Sequence, residues 1–150
     1  MLPFIFHFFS PFYGFPIILP SYHTINIMSI VGSQNTKQYD LEQRTFEFAR
    51  RCRDFINKLP RTITNIEYGK QLARASGSQA ANYIEANESL SKKDFCMRIK
   101  ICRKEAKESR LWLNLCDAGN KEDLKQEQKD LIQEAYELTK IFGSMVEKCK

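Results

Sequence analysis

The segment SKKDFCMRIKICRKEAKESRLWLNLC, from Ser91 to Cys116, decides the fold class because its apolar and small residues recur at helical spacing. The recurring positions, separated alternately by four and three residues, are Phe95, Ile99, Cys102, Ala106, Ser109, Leu113 and Cys116. Such a heptad pattern predicts a long helix that packs one face against other helices. Ser91 is a typical N-cap residue, and Asp94 in the first turn suits the positive end of the helix dipole.

Two further helices are predicted before this segment. The first covers about Asp40–Leu59, where Asp40 can cap it, and Pro60 ends it. The second opens at Thr64, whose spacing to Glu67 matches a capping box, and continues to about Ser89.

A stripe of small residues runs along the second predicted helix. Its members, spaced mainly by four and three residues, are Gly69, Ala73, Ser76, Gly77 and Ala80. A glycine inside a helix costs about 1 kcal/mol relative to alanine, so two on one stripe predict a neighbouring backbone that approaches closely.

The last predicted helix follows a short connection and gives the chain its topology. Gly119 has the character of a helix stop and Asn120 that of the next N-cap, and the helical pattern then continues to Cys149. Helices joined by such short loops are antiparallel neighbours. The predicted fold is therefore all-α, a left-handed, antiparallel up-down-up-down four-helix bundle over residues 40–150, and no strand pattern competes with it.

The third predicted helix also carries the excess charge of the chain. From Lys92 to Cys116 eight basic residues oppose three acidic ones, an excess of +5 that equals the net charge of all 150 residues. If the recurring residues above occupy heptad positions a and d, the basic residues fall on the contiguous positions e, b and f. The candidate nucleic-acid-binding residues on this flank are Lys93, Lys100, Arg103, Lys104, Lys107 and Arg110.

Like charges four residues apart on a helix destabilise it by about 0.2–0.5 kcal/mol per pair, so a purely solvated face would usually mix signs. The stripe therefore predicts a polyanionic partner, RNA in preference to DNA, contacted through phosphates rather than through base readout. The alternative is a protein-interaction scaffold whose basic flank docks an acidic partner, such as a reverse transcriptase or a ribosomal factor.

The opposite flank of the same helix carries Ile101, Trp112 and Leu115 outside the heptad seam. Either the bundle buries these side chains internally, or they form a subunit contact in a homo-oligomer. We predict the subunit contact, and burial inside the bundle is the alternative.

Catalytic and metal-binding patterns are weak. No histidine follows residue 27, and none of the five cysteines forms a Cys-x-x-Cys pair. We therefore expect no enzyme activity, no cofactor and no metal site. The cysteines lie at apolar spacing without a disulfide framework, which favours a reducing cytoplasm. A polar cluster on the second helix, Asn82, Glu85, Asn87 and Glu88, is expected to form hydrogen bonds across the bundle or at a subunit contact.

Residues 1–27 contain no Asp, Glu, Lys or Arg, but four of the five prolines of the chain. The prolines interrupt the apolar run too often for a membrane-spanning helix, and no basic start of a secretory signal is present, so we expect no membrane partner. We interpret Met28 as the start and residues 1–27 as a misassigned or disordered leader. A degenerate signal or anchor and an unusual hydrophobic arm are the alternatives. Residues 28–39 form a polar linker.

A set of motifs in the charged part of the chain resembles a known family. The motifs are Arg74-Ala75-Ser76-Gly77-Ser78, Ala81-Asn82-Tyr83-Ile84-Glu85-Ala86, Lys93-Asp94-Phe95, Lys104-Glu105-Ala106-Lys107-Glu108-Ser109 and Trp112-Leu113. Together, from about Tyr39 to Val146, they resemble the bacterial four-helix-bundle proteins encoded in intervening sequences of 23S ribosomal RNA genes. The resemblance implies a ring-shaped homopentamer with a basic central surface. It also implies kinship with the accessory protein of diversity-generating retroelements, which binds nucleic acid and its reverse transcriptase, and it supplies no catalytic residues.

Overall fold

The computed structural model describes the backbone of residues 36–149 and the side chains of residues 41–149. The expectations for residues 1–27, and for the linker before residue 36, lie outside this range. The helices are α1 (Thr36–Lys58), α2 (Ile63–Asn87), α3 (Lys92–Leu115) and α4 (Glu122–Glu147), and no strand occurs in the range described. The all-α prediction is confirmed, and α1 begins four residues before the predicted Asp40.

Each helix packs against two others, since α1 and α3 both contact α2 and α4. The start of α2 meets the end of α3 where Asn65 bonds the backbone of Asp117, at 2.9 Å to its carbonyl oxygen. The start of α4 meets the end of α1 where Lys58 pairs with Glu127 at 2.9 Å. These contacts are consistent with antiparallel neighbours, while the left-handed sense of the bundle stays a prediction.

The core is formed by the inward faces of all four helices. Its largest fully buried apolar side chains are Phe48, Phe55, Leu72, Ile99, Leu113, Leu131, Leu138 and Phe142. On α3 the buried set follows the predicted heptad from Ile99 to Leu113. This packing fixes which flank of α3 faces α2 and which faces α4.

Of the three N-caps predicted for α2, α3 and α4, two are wrong. Ser91 caps α3 as expected, and its Oγ accepts a hydrogen bond from the Asp94 amide at 3.1 Å. For α2, however, the cap is Thr62, whose Oγ1 accepts from the Asn65 amide at 3.2 Å. Thr64 therefore lies inside the helix, and the side chain of the buried Asn65 beside it bonds the Pro60 carbonyl oxygen and the backbone of Asp117.

The N-cap of α4 is Lys121 rather than Asn120, and no side chain supplies a cap hydrogen bond there. The preceding turn is set by Gly119, which has φ +65° and donates its amide proton to Oδ1 of Asp117 at 2.8 Å. α3 itself ends earlier, at Leu115, with Cys116 already in an extended conformation, so Gly119 forms the turn and does not stop the helix.

The close backbone approach predicted from the small stripe of α2 does not occur. A Cβ atom built at Gly69 would lie 3.0 Å from the Ile56 side chain, not from a backbone, and one at Gly77 would meet nothing within 4 Å. Ala73 and Gly77 are exposed, because Leu72 and Gln79 occupy the buried face instead. The stripe is thus split between the core and the surface.

The expectation of five unpaired thiols is also wrong. Cys96 and Cys149 form a disulfide, with Cα atoms 5.8 Å apart, while Cys52, Cys102 and Cys116 are free and buried. Spacing along the chain could not show this pair, because the two cysteines meet only when the start of α3 lies beside the end of α4. The disulfide removes part of the cysteine-based argument for a reducing compartment. None of the helices described is long and apolar enough to cross a membrane.

Candidate nucleic-acid interface

A groove between α3 and α4 brings basic residues of both helices together. Arg103, Lys107 and Arg110 of α3 line one side, and Lys140 of α4 lines the other, around a volume of about 840 Å³. We call this the cationic groove and define it by these four residues. Heptad position e of α3, which holds Arg103 and Arg110, faces α4, so the groove follows directly from the packing of the a and d residues into the core.

The ion pairs found among the described residues do not involve the four cations of the groove. They involve Arg44, Arg50, Arg53, Lys58, Lys70, Arg98, Lys104 and Lys125, and none of the four groove cations. Glu147 lies at one end of the groove and is the single carboxylate among its described lining residues. The groove therefore brings four cations together with one carboxylate among its described lining residues.

Arg103 lies close to α4 beside Gly143. A Cβ atom built at Gly143 would lie 3.6 Å from Nε and 3.8 Å from Cζ of Arg103. The Nε atom is buried and has no hydrogen-bond partner among the residues described. The guanidinium is thus placed by packing at the floor of the groove.

Two of the groove cations lie over the ring of Tyr136 of α4. Cζ of Arg110 is 5.0 Å and Nζ of Lys140 is 5.2 Å from the centroid of its ring, within the range of cation–π attraction. Lys140 follows Tyr136 by one helical turn, so this contact is built into α4, whereas the Arg110 contact depends on how α3 and α4 pack. The ring remains 38% exposed.

The six basic residues predicted on α3 do not form one site. Lys93 and Lys100, with Lys92, line a second depression beside the Cys96–Cys149 disulfide. Lys104 lines neither depression and points to the α2 side, where its Nζ lies 3.5 Å from Glu108 and 3.8 Å from Glu105. Only Arg103, Lys107 and Arg110 meet in the cationic groove.

The carboxylates beside Lys104 give little net stabilisation. Lys104 is mostly exposed, and exposed ion pairs contribute about 0–1 kcal/mol. Burial and the neighbouring Glu108 raise the pKa of Glu105, with Lys104 opposing that shift. We therefore treat Lys104 as partly compensated and place it outside the candidate site.

The apolar flank of α3 is only partly covered within the chain. The Trp112 ring stacks on Tyr68 of α2 with centroids 6.0 Å apart and packs against the core. Ile101 is half-buried and Leu115 remains 44% exposed. Burial inside the bundle therefore accounts for most of Trp112, and the subunit contact through these three residues stays a prediction.

The polar cluster of α2 forms hydrogen bonds across the bundle, as expected. Asn87 donates to Glu42 of α1 at 2.7 Å, and Arg98 of α3 bonds Glu85 and donates to Asn82 at 3.4 Å. These contacts link three helices at one end of the molecule and leave no arrangement that suggests acid–base chemistry.

The free thiols are structural. Burial raises the pKa of Cys52 and of Cys102 to about 12, and that of Cys116 to about 11, so each stays protonated and poorly nucleophilic at neutral pH. Between residues 36 and 149, no group of three His, Cys, Asp or Glu side chains is placed to hold a metal ion.

Sequence reasoning missed Tyr136 and Lys140, which complete the groove from α4. Their separation of four residues places both side chains on one face, next to Thr139 on the flank of the apolar stripe. The four-residue spacing is visible in the sequence. That these residues belong to the groove becomes clear only when this flank of α4 is known to meet position e of α3.

The comparisons with known proteins agree with this architecture. A solved structure from Bacteroides thetaiotaomicron VPI-5482, a protein of unknown function from the S23 ribosomal protein family, is 24% identical. The similarity covers 74% of this chain and 98% of that one with a TM-score of 0.62, which shows the shared fold. No curated protein matches the chain. The family described as 23S rRNA-intervening sequence protein matches residues 37–144. Because this match spans most of the chain, the protein belongs to the family of 23S rRNA-intervening sequence proteins.

Proposed function

We propose that this protein is a non-enzymatic nucleic-acid-binding protein that holds RNA, in preference to DNA, in the cationic groove between α3 and α4. The observation that carries the proposal is the convergence of Arg103, Lys107, Arg110 and Lys140 on one groove, outside the ion pairs of the described residues. Phosphates are the natural counter-charge for such a groove, because contacts from Lys and Arg to a polyanion release its condensed counterions.

Local energetics support a role for these charges beyond solubility. Arg103 and Lys107 repel each other along α3 by about 0.2–0.5 kcal/mol, and Lys107 lies one turn from Arg110. Folding alone gains nothing from this arrangement, since each helix would be more stable with mixed charges. A bound phosphate chain would convert the repulsion into favourable contacts.

We further propose that the protein acts as a homo-oligomer, with the pentamer as the expected form, in the cytoplasm. Large apolar side chains outside the cationic groove remain exposed near one end of the bundle, at the start of α2 and the end of α3; they are Ile63, Ile66 and Leu115. Covering them against other subunits would remove apolar surface from water. Light scattering of the purified protein tests this, and a monomeric mass across micromolar concentrations would reject it.

The binding experiment compares two charge reversals on exposed lysines. Lys107→Glu changes the groove, whereas Lys70→Glu makes the same change on α2, where Lys70 pairs with Glu67 at 2.8 Å. Fluorescence anisotropy with a labelled single-stranded RNA in about 0.1 M salt should show a loss of about tenfold or more for the groove variant. The control should bind within about twofold of the wild type.

Equal losses from both variants would mean that net charge, not the groove, determines affinity. No RNA or DNA binding by the wild-type protein would reject the proposal and favour the scaffold function with an acidic protein partner.

A further inference from the structure

We infer that the cationic groove takes an unpaired nucleotide whose base stacks on Tyr136, so that its ligand is single-stranded or looped nucleic acid rather than a continuous duplex. This inference rests on the proposed function and specifies the ligand class of the same groove. It also departs from the expectation, based on the sequence, that the protein contacts only the phosphate backbone.

The position of Tyr136 is not explained by core packing. The core face of α4 is formed by Leu131, Ala135, Leu138 and Phe142, all fully buried. Tyr136 follows Ala135 and lies on the flank that faces the groove, with its ring partly in solvent. It is the one aromatic side chain among the described residues that line this groove.

The surroundings of the ring suit a nucleotide. Arg110 and Lys140 lie over its ring, 5.0 and 5.2 Å from the centroid, so a base that stacks on Tyr136 takes the place of one of these cations and has both of them nearby for its phosphates. Leu111, which is 50% exposed, adds an apolar contact on the α3 side. Basic residues that follow the backbone and an aromatic ring that accepts a base are the two components of single-strand binding sites.

The choice between single strand and duplex follows from access to the base. In a continuous duplex the faces of the bases are stacked on one another, and a side chain on the groove floor reaches only phosphates, sugars and base edges. An aromatic ring with two cations over it contributes to affinity only when a base leaves the stack. Guanidinium planes also stack on bases, so Arg110 can cover such a base or bind its phosphate.

The test uses two variants of one residue and two probes of one sequence. Tyr136→Leu removes the aromatic surface, and Tyr136→Phe keeps it while removing the hydroxyl. Each variant is titrated against a labelled 12-nucleotide single-stranded RNA and against the same strand annealed to its complement, at one salt concentration. Circular dichroism melting of each variant shows whether the bundle is intact.

Stacking contributes about 1–3 kcal/mol per base, which corresponds to a loss of about 5- to 150-fold for Tyr136→Leu on the single strand. Tyr136→Phe should bind the single strand within about twofold of the wild type, and duplex binding should change by less than about twofold in both variants. Wild-type protein should bind the single strand more tightly than the duplex.

The outcomes separate this inference from the proposed function. Binding that Lys107→Glu weakens but Tyr136→Leu leaves unchanged would overturn the stacked base and keep the nucleic-acid-binding groove. Equal losses on single strand and duplex for Tyr136→Leu would also overturn it, since the ring would then act only by positioning Arg110 and Lys140. Absence of any binding by the wild type would reject both.

Discussion

Gly77 and Gly119 illustrate how one residue type serves opposite purposes in this chain. Gly77 lies within α2, is exposed, and has open space where a Cβ atom would be. Gly119 lies in the α3–α4 turn at φ +65°, with Cγ of Pro60 3.2 Å from the position of a Cβ atom. The first glycine weakens a helix, whereas the second allows a turn.

We therefore expect alanine substitutions at these positions to have opposite signs. Gly77→Ala should raise the free energy of unfolding by about 0.5–1 kcal/mol, because alanine loses less backbone entropy in a helix. Gly119→Ala should lower it by about 1–2 kcal/mol, because the left-handed conformation is strained for alanine. Urea denaturation measures both. A destabilising Gly77→Ala would mean that another molecule of the assembly packs closely against this surface.

The three free cysteines should be inert in the native protein. Because burial raises the pKa of Cys52 and Cys102 to about 12 and that of Cys116 to about 11, the thiolate forms only well above neutral pH. A chromogenic disulfide reagent at pH 8 should therefore label none of them quickly, and should label all three after unfolding in denaturant without reductant. Fast labelling of any thiol in the native protein would contradict its burial.

At the level of elements, α3 and α4 are joined at both ends of the groove they share. The short turn through Gly119 connects the end of α3 to the start of α4, and the Cys96–Cys149 disulfide closes the other end across a sequence separation of 53 residues. A cross-link of this kind restricts the unfolded chain as well as the native one. The geometry of the cationic groove depends on this pair of helices.

Reduction of the disulfide should lower the free energy of unfolding by about 2–4 kcal/mol, because the unfolded chain regains the freedom of the closed loop. Denaturation with and without dithiothreitol measures the effect. The double variant Cys96→Ser with Cys149→Ser is the control, since its stability should not respond to the reductant. Equal stability of oxidised and reduced wild-type protein would mean that the two cysteines are not cross-linked in solution.

A charged cluster around Arg44 links α1 to α4. Nε of Arg44 lies 2.7 Å from Glu134, and Nη2 lies 2.5 Å from Glu137. Two hydrogen bonds lower the pKa of Glu137 below its usual value, and the bond from Gln133 has a larger effect than the bond from Arg44. Because the pKa of Glu137 is lower in the folded protein than in the unfolded chain, its ionised form stabilises the fold at pH values above the ordinary carboxyl pKa. This stabilisation is lost as the pH falls through the pKa that Glu137 has in the folded protein.

Arg44→Met should therefore reduce stability at pH 7 by about 1 kcal/mol, after allowance for solvent screening of a half-exposed pair. The difference between wild type and variant should shrink as the pH is lowered from about 5 to about 3. Thermal melts over this pH range measure it. A difference that stays constant with pH would show that Arg44 acts through packing of its aliphatic stem alone.

For the whole molecule, the sequence was sufficient for the parts that depend on periodicity. The heptad positions of α3 predicted its buried face, and position e holds Arg103 and Arg110, which line the cationic groove. The sequence was insufficient to predict contacts between segments that are distant along the chain. The Cys96–Cys149 pair and the meeting of Arg110 with Tyr136 depend on how α3 and α4 lie side by side, which no local pattern contains.

Local patterns also failed where a side chain is used elsewhere. The threonine at position 64 has ideal spacing for a capping box, but Thr62 caps α2, and the Asn65 side chain bonds Pro60 and Asp117. Lys104 belongs to the basic flank by its position, yet Glu105 and Glu108 lie beside it. The Asn65 contacts are visible only in the folded chain, whereas the spacing of Lys104 and Glu108, four residues apart on one helix, is readable from the sequence.

The central claim is that phosphates compensate the groove cations, and the salt dependence of RNA affinity tests it most directly. Each single-strand phosphate contact contributes about −0.7 to the slope of log K against log salt concentration. The double variant Lys107→Gln with Lys140→Gln should therefore have a slope about 1.4 units shallower than the wild type. The matched variant Lys70→Gln with Lys125→Gln, whose lysines pair with Glu67 and Glu122, should keep the wild-type slope. A salt-independent affinity, or the same slope in all three proteins, would contradict the account.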